Sequence, residues 1–237
     1  MIDQSVNSRL HYLGGGIQVM QHLPATVAAS DWWNPGGTFT CVAAYQAKGA
    51  ASLAASYVNL ANPGTYDCTV WSGSYLAPAW TSAGGWEFGR DKVLDTGIVG
   101  ANTYSWIVRY SGATQTHTGL FGLDSSPAVR LNFYPRYIED GKTYFRAGGN
   151  YNQSVSGWSA GVAAASPVAA YFNGAYLGSV TGNYTGTTAE HIPIGSILLS
   201  GTPQPTGGAT VIQGLAIYST TLDATQNAQL STNMAAL

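Results

Sequence analysis

Acid–base chemistry on a glycosidic bond needs two carboxyl groups at a set separation, about 5 Å for a retaining pair. Two acidic pairs lie close in this sequence. Glu139 and Asp140 are adjacent, so a strand would point them to opposite faces, and Glu87 and Asp91 would stand roughly 13 Å apart on an extended chain. Both pairs read as turn or surface features, and no enzyme is expected. His11, His22, His117 and His191 are scattered without His-x-x-x-His or Cys/His spacing, so transition-metal sites have no support. No G-x-S-x-G nucleophile elbow is expected either.

Binding is the chemistry that the residue types favour. Tryptophan and tyrosine rings offer flat apolar faces to sugars, and nearby amides and carboxylates can orient hydroxyls. Trp71, Tyr75, Trp80, Asn150, Tyr151 and Trp158 lie in Gly/Ser-rich segments and are the candidate ligand contacts. Against this stands the ordinary fate of large aromatics in a β protein, which is the core.

The elements that must position these residues are mostly strands. Ala209 to Tyr218 is apolar on both parities and reads as a sheet-core strand, with Gly214 a bulge candidate. Asp223 and Gln226 then form a capping box. Leu230, Met234 and Leu237 give the closing helix one apolar stripe. Tyr104 to Tyr110 alternates, with Tyr104, Trp106, Val108 and Tyr110 on one face. Phe39, Cys41, Ala43 and Tyr45 also alternate. Val129 to Tyr134 and Lys142 to Arg146 are further strands, and Asn173-Gly174 after Val162 to Phe172 is a type I′ hairpin signal. Gly49 to Leu60 has helical spacing and predicts a turn or two of helix over a sheet edge. Residues 1–24, with a Gly14-Gly15-Gly16 hinge, are either an arm or a first strand. Residues 25–237 show no linker and read as one domain.

Composition narrows the function further. Charged residues are 8% of the 237 and the net charge is −2, so there is no basic footprint for nucleic acid. No amino-terminal signal and no stretch long enough to span a bilayer is seen, which places synthesis in the cytoplasm and argues against membrane insertion. Cys41 and Cys68 either pair or remain buried thiols.

The run Gly214-Leu215-Ala216-Ile217-Tyr218, then Thr221-Leu222-Asp223-Ala224-Thr225-Gln226 and a helix ending in Met234-Ala235-Ala236-Leu237, resembles the closing signature of LamG-like jelly rolls of the concanavalin A-like lectin/glucanase group. Trp86-Glu87-Phe88 with Val93 to Ile98, and the hairpin from Val168 to Val180, resemble two further stretches of that family. The resemblance implies an all-β, two-sheet antiparallel β-sandwich with a short C-terminal helix. It also raises calcium as a cofactor, for which Asp67, Asp95 and Asp124 are the candidate ligands, although they are not clustered in sequence.

The charge-poor run from Ala43 to Gly64 resembles LamG-like modules of tailed-bacteriophage virions. That implies a non-catalytic virion structural or adhesion protein, an appendage or surface decoration. Its partners would be other virion subunits or copies of itself, and a cell-surface glycan. The alternatives are a free-standing lectin and a degenerate glycoside hydrolase.

Overall fold

The computed structural model describes residues 31–35, 39–114, 119–125, 129–137, 139–182, 184, 186–205 and 208–237, with 152–156 and 205 described by backbone alone. The reading of residues 1–24 therefore lies outside the described residues.

Strand β1 (Cys41–Gln46) leads to a single-turn helix, α1 (Leu53–Ser56). Short strands β2 (Thr69–Val70), β3 (Ala79–Thr81) and β4 (Gly85–Phe88) follow, then β5 (Leu94–Val99) and β6 (Ser105–Ser111). The middle of the chain is β7 (Phe121–Ser125), β8 (Val129–Tyr134), β9 (Lys142–Ala147), β10 (Asn150–Ser156) and β11 (Gly161–Ala165). Then come β12 (Ala169–Phe172), β13 (Ala175–Ser179), β14 (His191–Ile194), β15 (Ser196–Leu199), β16 (Thr202–Pro205), β17 (Thr210–Tyr218) and α2 (Ala224–Ala235).

These strands form an eight-stranded sheet, β13-β12-β11-β6-β17-β4-β3 with β1 also on β17, and a nine-stranded sheet, β10-β9-β8-β7-β14-β5-β2 joined by β15 and β16. All pairings are antiparallel except that of β15 with β7. The sheets face each other across one core in which Trp86, Trp106, Tyr110 and Leu215 of the first meet Phe121, Leu131, Phe133 and Phe145 of the second. The fold is thus the expected β-sandwich.

β17 sits at the centre, with β6 along one side and β1 and β4 sharing the other. Its register shifts between Ile212 and Gly214, and the bulge changes which parity faces inward. Ile212, Leu215 and Ile217 enter the inter-sheet core while Ala216 and Tyr218 face outward. A second shift between Cys41 and Ala43 in β1 corrects the expected single-face alternation there. Ala43 and Tyr45 point between the sheets, whereas Phe39 and Cys41 pack on the outer side. The stretch from Val162 to Phe172 that leads into the expected hairpin holds most of β11 and all of β12, joined by a turn in which Ser166 N donates to Ala169 O at 2.8 Å. The hairpin at Asn173-Gly174 does form, with φ of 49° and 79° at its two central residues.

Outward-facing Ile107, Val162, Ala164, Tyr171, Ala216 and Tyr218 form a second apolar layer with Trp32, Leu222, Leu230 and Met234. Helix α2 is the cover of this layer. Its start is fixed by the predicted box, the Asp223 carboxylate accepting from Gln226 N at 2.8 Å and Gln226 Oε1 from Asp223 N at 2.9 Å. Such a cap contributes about 1 kcal/mol. Its last turn carries no basic residue, and Arg109 of β6 supplies the cation instead, donating from Nη1 to Met234 O at 3.0 Å and Ala235 O at 2.9 Å.

Helix α1 packs elsewhere, its Ser56 hydroxyl accepting from Trp86 Nε1 at 2.7 Å. Among the described residues no helix covers the outer face of the nine-stranded sheet. Cys41 and Cys68 are free thiols, and burial pushes the Cys41 thiol up to about 12 and that of Cys68 up as well. Both are inert neutral side chains at ordinary pH.

Candidate functional site

The outer face of the nine-stranded sheet, which no helix covers among the described residues, carries a polar network held in place by strand register. On β7, β8 and β9 the core residues Leu123, Leu131, Phe133 and Phe145 alternate with outward ones, which brings Asp124 opposite Arg130 and Asn132 opposite Arg146. Asp124 takes two arginines. Its Oδ1 lies 2.9 Å from Arg130 Nε, and its Oδ2 bonds Arg146 Nη1. Three of these side chains are largely out of water, Asp124 at 12% exposure, Arg146 at 10% and Arg130 at 22%.

Tyrosine rings enclose the arginines. The Arg146 guanidinium carbon is 5.7 Å from the Tyr134 ring centroid and 5.6 Å from that of Tyr144, and Arg130 lies 4.8 Å over Tyr184. Tyr137 bridges the first two rings, at 5.2 Å from Tyr134 and 4.8 Å from Tyr144. The result is a half-buried platform of three tyrosines above a buried ion network. Burial raises the Tyr134, Tyr137 and Tyr144 phenols above their usual range, so each remains a neutral hydroxyl. Gly122 makes room for Asn132 beside it: its φ is +114°, and a Cβ there would lie 2.0 Å from Leu131 O and 2.8 Å from the Asn132 Cβ.

Further along the same sheet an open pocket of about 180 Å³ is lined by Trp71, Asp95, Glu190, His191 and Leu198, among others. Asp95 of β5 accepts from Gly97 N at 2.8 Å and meets His191 Nδ1 of β14 at 3.2 Å. Glu190 accepts from the Ser125 hydroxyl. That bond ties the pocket to the network, because Ser125 follows Asp124 on β7. A half-buried tryptophan that also packs against the core, two carboxylates and an imidazole here line a space open to solvent.

Two solved structures share this architecture. Domain 4 of AbnA, a GH43 extracellular arabinanase from Geobacillus stearothermophilus in complex with arabinotriose, is 18% identical and superposes with a TM-score of 0.51 over 81% of this chain and 98% of that one. A mutant Trypanosoma rangeli sialidase displaying trans-sialidase activity is 17% identical, with a TM-score of 0.52 over 82% of this chain and 33% of the sialidase. The shared fold is a two-sheet, largely antiparallel β-sandwich. No family model and no curated protein matches the chain, and at these identities the likeness speaks for the fold alone.

Two of the six expected contacts lie at these places. Trp71 lines the pocket, and Asn150 joins the network, accepting from Arg130 Nη1 at 3.4 Å and donating to Tyr184 Oη at 3.2 Å. The other four side chains have structural partners. Trp80 Nε1 donates to Ala47 O at 2.8 Å, Tyr75 Oη to Pro203 O at 3.3 Å and Tyr151 Oη to Leu177 O at 3.0 Å. Trp158 stacks on Phe172 with centroids 3.9 Å apart and planes 11° off parallel.

Among the described residues no three His, Cys, Asp or Glu side chains gather to hold a metal. The calcium candidates do separate jobs: Asp67 accepts from Asn59 N and Gly64 N in its own loop, Asp95 pairs with His191 and Asp124 with the arginines. One G-x-S-x-G run does exist, Gly157-Trp158-Ser159-Ala160-Gly161, contrary to the expectation of none. It connects strand β10 to strand β11 rather than a strand to a helix, so it lacks the setting of a nucleophile elbow.

The tyrosines and arginines of β8 and β9 were not among the expected site residues. Their signal was available in Arg130-x-Asn132-x-Tyr134 and Tyr144-x-Arg146, polar and aromatic residues on the parity opposite Leu131, Phe133 and Phe145.

Proposed function

We propose that this protein is a non-catalytic glycan-binding module that uses the outer face of its nine-stranded sheet. The observation that carries the reading is the pocket in which Trp71 stands beside Asp95, Glu190 and His191, a ring face for the apolar side of a sugar with hydrogen-bonding groups at its rim. The two carboxylates already have protein partners, His191 and Gly97 for Asp95 and Ser125 for Glu190, which supports binding over proton transfer. The likeness to a domain solved with arabinotriose supports it as well. As its setting we propose a tailed-phage virion, supported by the charge-poor sequence texture.

A glycan array probed with the intact protein tests the reading. Binding to at least one glycan is expected, with Trp71→Ala lowering the affinity at least about tenfold, the scale of a lost aromatic contact. A blank array from a protein that nonetheless sediments with virions would replace this function with a purely structural one.

A further inference from the structure

We propose that the ligand of this face is an extended, uncharged oligosaccharide that lies across the strands from the Trp71 pocket to the tyrosine platform on β8 and β9. The inference rests on the glycan-binding reading and adds the length and charge of the ligand.

Length follows from the sheet order. Strands β5, β14, β7, β8 and β9 are successive neighbours, so at the usual strand spacing the pocket on β5 and β14 and the tyrosines on β8 and β9 mark a strip about 19 Å long. A single sugar ring is far shorter than that. The strip is continuous, because Glu190 both lines the pocket and holds Ser125, the neighbour of Asp124.

Charge follows from how the cations are spent. Arg130 and Arg146 share Asp124 and lie against tyrosine rings, Lys142 pairs with Asp140 at 3.3 Å, and Glu139 stands beside Tyr137. The three cations of the platform thus face three carboxylates, which leaves no excess positive charge for a carboxylate on the ligand. At the other end of the strip, Asp95 and Glu190 would repel one.

The test is an array of linear neutral oligosaccharides from disaccharide to hexasaccharide, printed with uronic-acid and sialylated counterparts of each. Binding is expected to be confined to uncharged chains and to strengthen at least about tenfold from the shortest to the longest. Tyr144→Ala should remove that gain. Tyr144→Phe, which keeps the ring and loses only the hydroxyl bond to Asp140, should retain most of it and separates a contact role from misfolding. Equal binding of short and long chains, or stronger binding of the acidic series, would overturn the inference while leaving the glycan-binding function intact. Silence across the whole array would overturn both.

Discussion

Asp124→Ala is expected to destabilise the protein by about 3–5 kcal/mol, the cost typical of breaking a buried ion pair by removing one partner. The carboxylate sits between two arginines, and its loss leaves both guanidinium groups, one at 10% exposure, without a counter-charge. Urea unfolding measures the loss. The sign reverses in a combined variant: Asp124→Leu with Arg130→Met and Arg146→Met removes the charges together and should recover much of the stability, because well-packed apolar groups replace buried ion networks at little cost. If Asp124→Ala unfolds at the wild-type urea midpoint, the network is solvated and the tyrosine platform has no rigid base.

Trp106→Ala should cost a similar amount, about 3–5 kcal/mol for a large buried aromatic. The side chain is fully buried on β6 and meets rings from three strands of the opposite sheet, β7, β8 and β9. Its centroid lies 5.1 Å from Phe121 and 5.3 Å from Phe133, and it stacks on Phe145 at 5.9 Å with planes 7° apart. Its Nε1 donates to Arg146 O at 2.9 Å, so truncation opens a cavity between the sheets and orphans a buried carbonyl beneath the Asp124–Arg146 pair. Trp106→Phe refills most of the cavity and should cost much less, of the order of 1 kcal/mol for the lost hydrogen bond plus imperfect packing. Chemical denaturation of the two variants side by side separates the contributions. Near-equal losses would mean that packing around this ring is not what joins the sheets.

Local pattern made much of this fold legible. The two-faced apolarity of β17, the Asp223–Gln226 box and the Asn173-Gly174 turn each depend on residues within a few positions of one another, and the structure shows all three. The errors came where one residue shifts a register. The bulge between Cys41 and Ala43 turns half of an evenly alternating stretch to the other face, and no composition signal marks it. The polar network and pocket of the outer face were legible only in part, for the same reason at longer range. Asp124 meets Arg146 across 22 positions of chain, and His191 meets Asp95 across 96. Such partners are set by which strands become neighbours, which periodicity does not disclose. The aromatics of Gly/Ser-rich segments were candidates by composition, yet Trp80, Tyr151 and Trp158 close the sandwich from its margins, packing against the inter-sheet core.

On the proposed function, a glycan binds the outer face of the nine-stranded sheet and not the side covered by α2. Hydrogen–deuterium exchange of the intact protein, with and without the strongest array glycan, measures this directly. Added protection is expected in Leu94–Val99, Val129–Tyr134 and Lys142–Ala147, with Ala224–Ala235 unchanged. Protection confined to Ala224–Ala235 or to the Ala175–Ser179 edge, with that face unaffected, would contradict the account.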